Sequence, residues 1–231
     1  MQRRNFIAAS LTALSIANFT RAADGVQNLP ARKTIRVAFL LGHGANVIDT
    51  FGPWEVFQDT MTGDHEDSHE HPFEIYTVAP ERKRVEMTGG LEVMPRYTLK
   101  EAPPPHVIVV PAQKSHPRAL EWLRSASSRT DVTLSVCTGA FQLARAGLLE
   151  GQAATTHHLY FDNFAREFPE VELRRGLRFV DNGRIATAGG LTSGIDLALH
   201  IVERYLGAAA ATRTATYMEY TRTQIAGTPK G

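Results

Sequence analysis

Among its 231 residues the chain has one cysteine, Cys137, so no disulfide can form within it. It also lacks charge of either sign in excess. Twenty-five Lys and Arg face 24 Asp and Glu, a formal net charge of +1, which leaves no basic field to attract nucleic acid. Internal repeats are missing as well. So is an apolar run of the roughly 20 residues that a membrane-spanning helix needs. The stretch from Phe6 to Phe19 comes nearest, but it is shorter and is broken by Ser10, Thr12, Ser15 and Asn18. With 43% hydrophobic and 21% charged residues, the remainder has the composition of an ordinary globular chain, and its length suits one core domain with an extension.

The extension is at the start. Arg3 and Arg4 precede the apolar run, and small residues follow around Ala22 and Ala23, an order that matches a twin-arginine-type export signal over residues 1–23. Residues 24–33 then form a polar linker with Pro30. The expected location is therefore the periplasm, with no stable membrane insertion once the signal is removed. In that oxidising compartment a lone thiol is protected, paired between chains or functional.

Apolar runs and turn residues alternate through the rest. Residues 34–41 (TIRVAFLL) predict a buried strand, and Gly52-Pro53 a helix start with proline in the first turn. Residues 73–79 predict a strand, and Gly89-Gly90 the turn of a hairpin. The run 106–111 (HVIVVP) predicts a strand covered on both faces, followed by a helix near Ser115 and Pro117. Residues 132–136 lead directly into Cys137-Thr138-Gly139 and a helix that stops at Gly147. A strand within 183–190 precedes a helix whose Ser193 and Asp196 have capping-box spacing, and residues 208–231 supply a last helix and tail. This alternation predicts an α/β fold: a flavodoxin-like, doubly wound, mostly parallel sheet with helices on both faces.

The sharpest signal is SVCTGAFQLARAGLL, which sets Cys137 on a tight strand-to-helix turn, a nucleophile elbow at the carboxyl edge of the sheet. The amides of Thr138 and Gly139 begin a helix whose positive end is expected to lower the thiol pKa and to hold a developing negative charge. Asp49 reads either as a helix cap or as a proton-transfer group. His65, His69 and His71 lie in or beside the polar insertion DHEDSHEH, which reads as solvated rather than metal-binding.

At these motifs the sequence resembles the ThiJ/PfpI superfamily, which is class I glutamine amidotransferase-like. The cysteine elbow, GLLEGQAATTHH with His157 twenty positions on, NVIDTFGPWEVF upstream and RIATAGGLTSGIDLALHIVERYLG downstream carry the resemblance across a domain of residues 34–207. The forms here are most similar to isonitrile hydratases and to the amidase-like domains of AraC-type regulators. The regulators add a DNA-binding region after this domain, for which the chain as given leaves no room. The resemblance implies an enzyme needing no cofactor or metal, acting on a small-molecule substrate and commonly a homodimer. It implies Cys137 as nucleophile, Asp49 as acid/base and Thr138 as polar partner. Asp49, beside a thiolate in a dry pocket, is expected to have a raised pKa. His157 stays open between base and hydrogen-bonded structural residue, and Glu55 is assigned to structure. One departure stands out. Relatives commonly carry Gly-Gly after the third main strand, where this chain has Pro111-Ala112-Gln113, leaving the Ala112 amide and the Gln113 side chain as donors. Alternatives to hydration are a redox-sensing or protective thiol protein and another hydrolase- or glyoxalase-like activity.

Overall fold

The computed structural model describes residues 28–62 and 70–222. The export signal, linker residues 24–27, and His65 and His69 lie outside the described residues. The chain runs β1 (Ile35–Leu40), α1 (Val47–Gln58), β2 (Phe73–Ala79), β3 (Val85–Glu86), β4 (Glu92–Val93), β5 (Tyr97–Thr98), β6 (Val107–Val110) and α2 (Pro117–Ser127). It continues through β7 (Val132–Ser135), α3 (Gly139–Arg145), β8 (Ala153–Ala154), α4 (Phe161–Glu167), β9 (Glu172–Leu173), β10 (Phe179–Asp181), β11 (Ile185–Ala188), α5 (Ser193–Leu206) and α6 (Ala208–Tyr217).

Seven strands form the main sheet in the order β10-β11-β7-β6-β1-β2-β5, with β10 alone antiparallel to its neighbour. Alternate side chains feed two cores. Val37, Phe39, Val107, Val109, Val132 and Leu134 pack with α1, α5 and α6 through Val56, Phe57, Leu197, Ile201 and Ala211. On the other face Ala38, Leu40, Ile108 and Val110 meet Leu123 of α2, Leu143 of α3 and Phe164 of α4. Each large apolar side chain buried in this way contributes about 1.5–3 kcal/mol. Because both faces are covered, β6 is apolar throughout and β1 at every position but Arg36, as the runs in the sequence predict, while β7 also buries Thr133 and Ser135.

The expected fold class holds, and so does the hairpin of β3 and β4. Two local expectations do not. Helix α1 starts at Val47, six residues before Pro53, because Asn46 caps it by accepting from the amides of Ile48 and Asp49. Pro53 is thus inside the helix and withholds the N–H that would bond the Asp49 carbonyl. At α5 the Ser193–Asp196 capping box is absent; Thr192 is the cap residue, and Asp196 binds Arg178 instead.

The order of strands reverses between β1 and β6, where the chain leaves toward α1 on one face and α2 on the other. A crevice opens there at the carboxyl ends of the strands, the usual place for a ligand in this class of sheet. Four connections converge on it, those following β1, β6, β7 and β11.

Candidate active site

Cys137 sits at the end of β7 with φ 58°, a left-handed conformation that a non-glycine residue holds only at a cost of about 1–3 kcal/mol. Its surroundings enforce that geometry. The Cys137 amide donates to the Gly189 carbonyl at 2.8 Å, and the Thr156 hydroxyl donates to the Cys137 carbonyl at 2.9 Å. Gly139 lets α3 turn off the strand against β6: a Cβ there would stand 2.1 Å from the Val110 carbonyl oxygen. The elbow therefore presents the thiol inward, 6% exposed.

Facing it is Asp49, fully buried in the first turn of α1. Its Oδ2 accepts from the Ala112 amide at 3.1 Å, while the Asn46 amide donates to the Ala112 carbonyl at 2.8 Å. The cap of α1 and the loop after β6 thus lock together around the carboxyl group. Its second oxygen, Oδ1, is buried and makes no hydrogen bond of good geometry, although the Cys137 thiol and the Leu191 amide stand close enough to act on the group. Burial pushes the Asp49 pKa up to about 7, against the opposing pull of the Ala112 amide, the thiol and the Leu191 amide. The raised value agrees with expectation, but desolvation rather than like charge causes it.

The thiol behaves opposite to expectation. Burial first, and the neighbouring Asp49 charge second, push the Cys137 pKa up to about 11, outweighing the Thr138 and Leu191 amides that favour the thiolate. A helix of seven residues supplies a weak field, and a dry site beside a carboxylate overrides it. Only part of the expected amide cradle is available, since the Gly139 amide donates to the Val136 carbonyl at 2.9 Å. The Ala112 amide is committed to Asp49, and Gln113 turns away to donate to the Leu40 carbonyl at 3.1 Å.

Leu191 is the site residue that the sequence reading missed. It lies in the turn between β11 and α5 with φ 52°, and its amide faces the thiol and carboxyl groups. The Gly189 amide donates to the Arg178 carbonyl, and Arg178 in turn binds Asp196 and Thr192, so the turn is clamped at both ends. A leucine has no side-chain signal for such a role; the preceding Gly189-Gly190 was the only sequence cue.

His157 lies beside the elbow without joining it. Its ring packs on Gly190, where a Cβ would come within 2.3 Å of the ring, and stacks on His158 at 4.5 Å. Its Nδ1 accepts from the Leu159 amide, and burial together with His158 lowers its pKa. Among the described residues no hydrogen bond connects it to Cys137 or Asp49. Glu55 is exposed on α1. His71 bonds the Gln58 carbonyl, and among the described residues no group of His, Cys, Asp and Glu is arranged to hold a metal.

Comparison with known proteins fits this geometry, with the DJ-1/PfpI family matching residues 35–204. The chain belongs to the DJ-1/PfpI family. Isonitrile hydratase from Pseudomonas putida is 28% identical over 192 residues, spanning 80% of this chain and 78% of that protein. The HTH-type transcriptional regulator CdhR of Pseudomonas aeruginosa is 38% identical over 98 residues, which is 42% of this chain and 29% of the regulator. The DJ-1/PfpI fold recurs in a ThiJ/PfpI family protein from Pseudomonas syringae, with a TM-score of 0.71, 23% identity and coverage of 92% of this chain and 86% of that one.

Proposed function

We propose that this DJ-1/PfpI protein is a cysteine-dependent enzyme that adds water to a small electrophile, with an isonitrile as the substrate and an N-substituted formamide as the product. The observation that carries the reading is the buried Asp49 carboxyl, half-ionised near neutral pH and held against a protonated Cys137 thiol. Because the thiol holds its proton more tightly than the carboxyl group does, Asp49 takes that proton only as the C–S bond forms.

In the resting site the sulfur keeps its proton. As sulfur attacks the isonitrile carbon, the Asp49 carboxylate takes the S–H proton and delivers it to that carbon, forming the C–S and C–H bonds of a thioimidate. Water then adds across the C=N bond, its oxygen to carbon and a proton through Asp49 to nitrogen. Cleavage of the C–S bond returns a proton to sulfur and releases the formamide. The sum is one isonitrile and one water consumed for each formamide, with no redox change. The Thr138 and Leu191 amides support the sulfur as its charge rises.

Two features weigh against a redox-sensing role: the thiol is 6% exposed, and its pKa is raised, so little nucleophilic thiolate is present. We further take the mature protein to be a periplasmic homodimer. The test of the activity is formamide formation from a panel of isonitriles. It is expected to vanish in Cys137→Ala and to fall sharply in Asp49→Asn; a wild-type protein inert toward the whole panel would overturn the assignment.

A further inference from the structure

The Leu191 amide acts on both the Cys137 thiol and the Asp49 carboxyl group, yet little about Leu191 itself keeps it there. Its φ of 52° lies in the left-handed region, which is costly for a leucine and persists only where the surroundings enforce it. Its side chain is 40% exposed, so packing does not supply that constraint. Hydrogen bonds must.

Those bonds converge on Arg178, which holds both ends of the turn between β11 and α5. Its carbonyl accepts from the Gly189 amide at 2.9 Å. Its side chain reaches the other end, where Nε donates to Asp196 Oδ2 at 2.6 Å and Nη2 donates to the Thr192 hydroxyl at 3.4 Å. The Gly189 carbonyl accepts from the Cys137 amide, so the same turn is tied to the elbow. Asp196 lies in the first turn of α5, 3% exposed, with the Tyr220 hydroxyl from beyond α6 facing it as well. Its Oδ1 is buried and makes no hydrogen bond of good geometry. Burying a charge in this way costs more than burying an apolar side chain of the same size, so stability does not account for the pair.

We propose that Arg178 and Asp196 are positioning residues, whose ion pair fixes the turn of residues 189–192 so that the Leu191 amide points at the thiol and carboxyl groups. Among the described residues neither of the two is hydrogen-bonded to Cys137 or Asp49, so their influence passes through the turn. Without the pair the leucine relaxes toward negative φ, and the peptide joining it to Gly190 turns its N–H away. The proposal rests on Cys137 and Asp49 being the reacting pair, but not on the isonitrile.

The test is the double variant Arg178→Met/Asp196→Leu. It replaces the ion pair by apolar side chains of similar size, an exchange that buried pairs commonly tolerate without loss of stability. The quantity measured is the titration midpoint of Asp49 by carboxyl 13C NMR, with the signal assigned by its loss in Asp49→Asn. This readout needs no substrate. If the pair positions the amide, the carboxylate loses a donor and binds its proton about 3- to 10-fold more tightly, moving the midpoint up by about 0.5–1 pH unit. A pair that only supports the fold would loosen the site and admit water, which moves the midpoint down. A fall, or no movement, overturns the proposal. Arg178→Lys keeps a cation beside Asp196 but cannot fork to Thr192. Its midpoint should lie between those of the wild type and the double variant, and it decides in the same way if the double variant does not fold. A wild-type midpoint near the ordinary carboxylate value of about 4 would remove the acid/base reading of Asp49, and the proposal with it. If the wild type hydrates no isonitrile, that assignment falls while the titration still decides the role of the pair.

Discussion

Replacing Asp49 by Asn separates the acid/base reading from a purely structural one. The folded protein holds the carboxyl pKa at about 7 against 3.8 for the free group, so at about 1.4 kcal/mol per pH unit the ionised form costs the fold about 4 kcal/mol. Below the unfolded pKa both states carry the proton and there is no penalty. As pH rises the unfolded chain releases its proton first, so stability falls until the folded group ionises near 7, and is then flat. Asparagine keeps the Ala112 hydrogen bond and does not titrate. Its second polar atom becomes an amide donor beside the Leu191 amide, which adds an offset independent of pH. The discriminating quantity is therefore the stability difference between variant and wild type by urea unfolding. It should move in favour of Asn by roughly 3 kcal/mol between pH 5 and pH 8, since about 1.6 of the total has already accrued at pH 5. Titrating groups that Asp49 does not act on are common to both chains and cancel; Cys137, which it does act on, keeps its proton in the wild-type fold over this range. A difference that stays constant with pH would refute the raised pKa and remove the proton-transfer role with it.

The pH dependence of hydration should have the opposite sign: kcat/KM rises with pH and is half-maximal near pH 7, because Asp49 must be ionised to accept the thiol proton. Initial rates that fall over that range would contradict this. Gly139→Ala should lose more than about 3 kcal/mol in thermal or urea unfolding, because a methyl group 2.1 Å from a backbone oxygen forces the elbow apart; unchanged stability would mean that the close approach is not real. Brief exposure to dilute peroxide should leave Cys137 unmodified by intact mass, since the thiol is protonated and buried. Replacing Arg3 and Arg4 together by Lys should retain the full-length precursor in the cytoplasm on cell fractionation, as expected of a twin-arginine signal.

The central sheet was legible because β1 and β6 are short, nearly continuous apolar runs bounded by turns, a pattern that parallel burial produces directly, and β7 runs straight into the elbow. Elements of two or three residues such as β5, β8 and β9 are set by what they pack against and leave no periodicity in the sequence. The start of α1 was misplaced for a different reason. Gly52-Pro53 is a strong punctuation signal, but Asn46 satisfies the helix amides six residues earlier, and Gly52 then serves packing: a Cβ there would meet Ile195 of α5 at 3.0 Å. Local chemistry suggested a boundary that tertiary contact overrode.

The position of the thiol was readable from the elbow, whereas its protonation state was not. Helix-end amides are visible in sequence, and they argue for a thiolate. The opposing influences come from residues far apart in the chain: the carboxyl of Asp49 on α1, the burial produced by α5, and the competing claim of Asp49 on the Ala112 amide. Because desolvation acts on both groups at once, it raises the carboxyl into the neutral range and lifts the thiol beyond it, and the pair becomes a base next to a protonated nucleophile. Reactivity then depends on an electrophile that can be attacked and protonated in one movement. A buried thiol without its thiolate offers little to an oxidant.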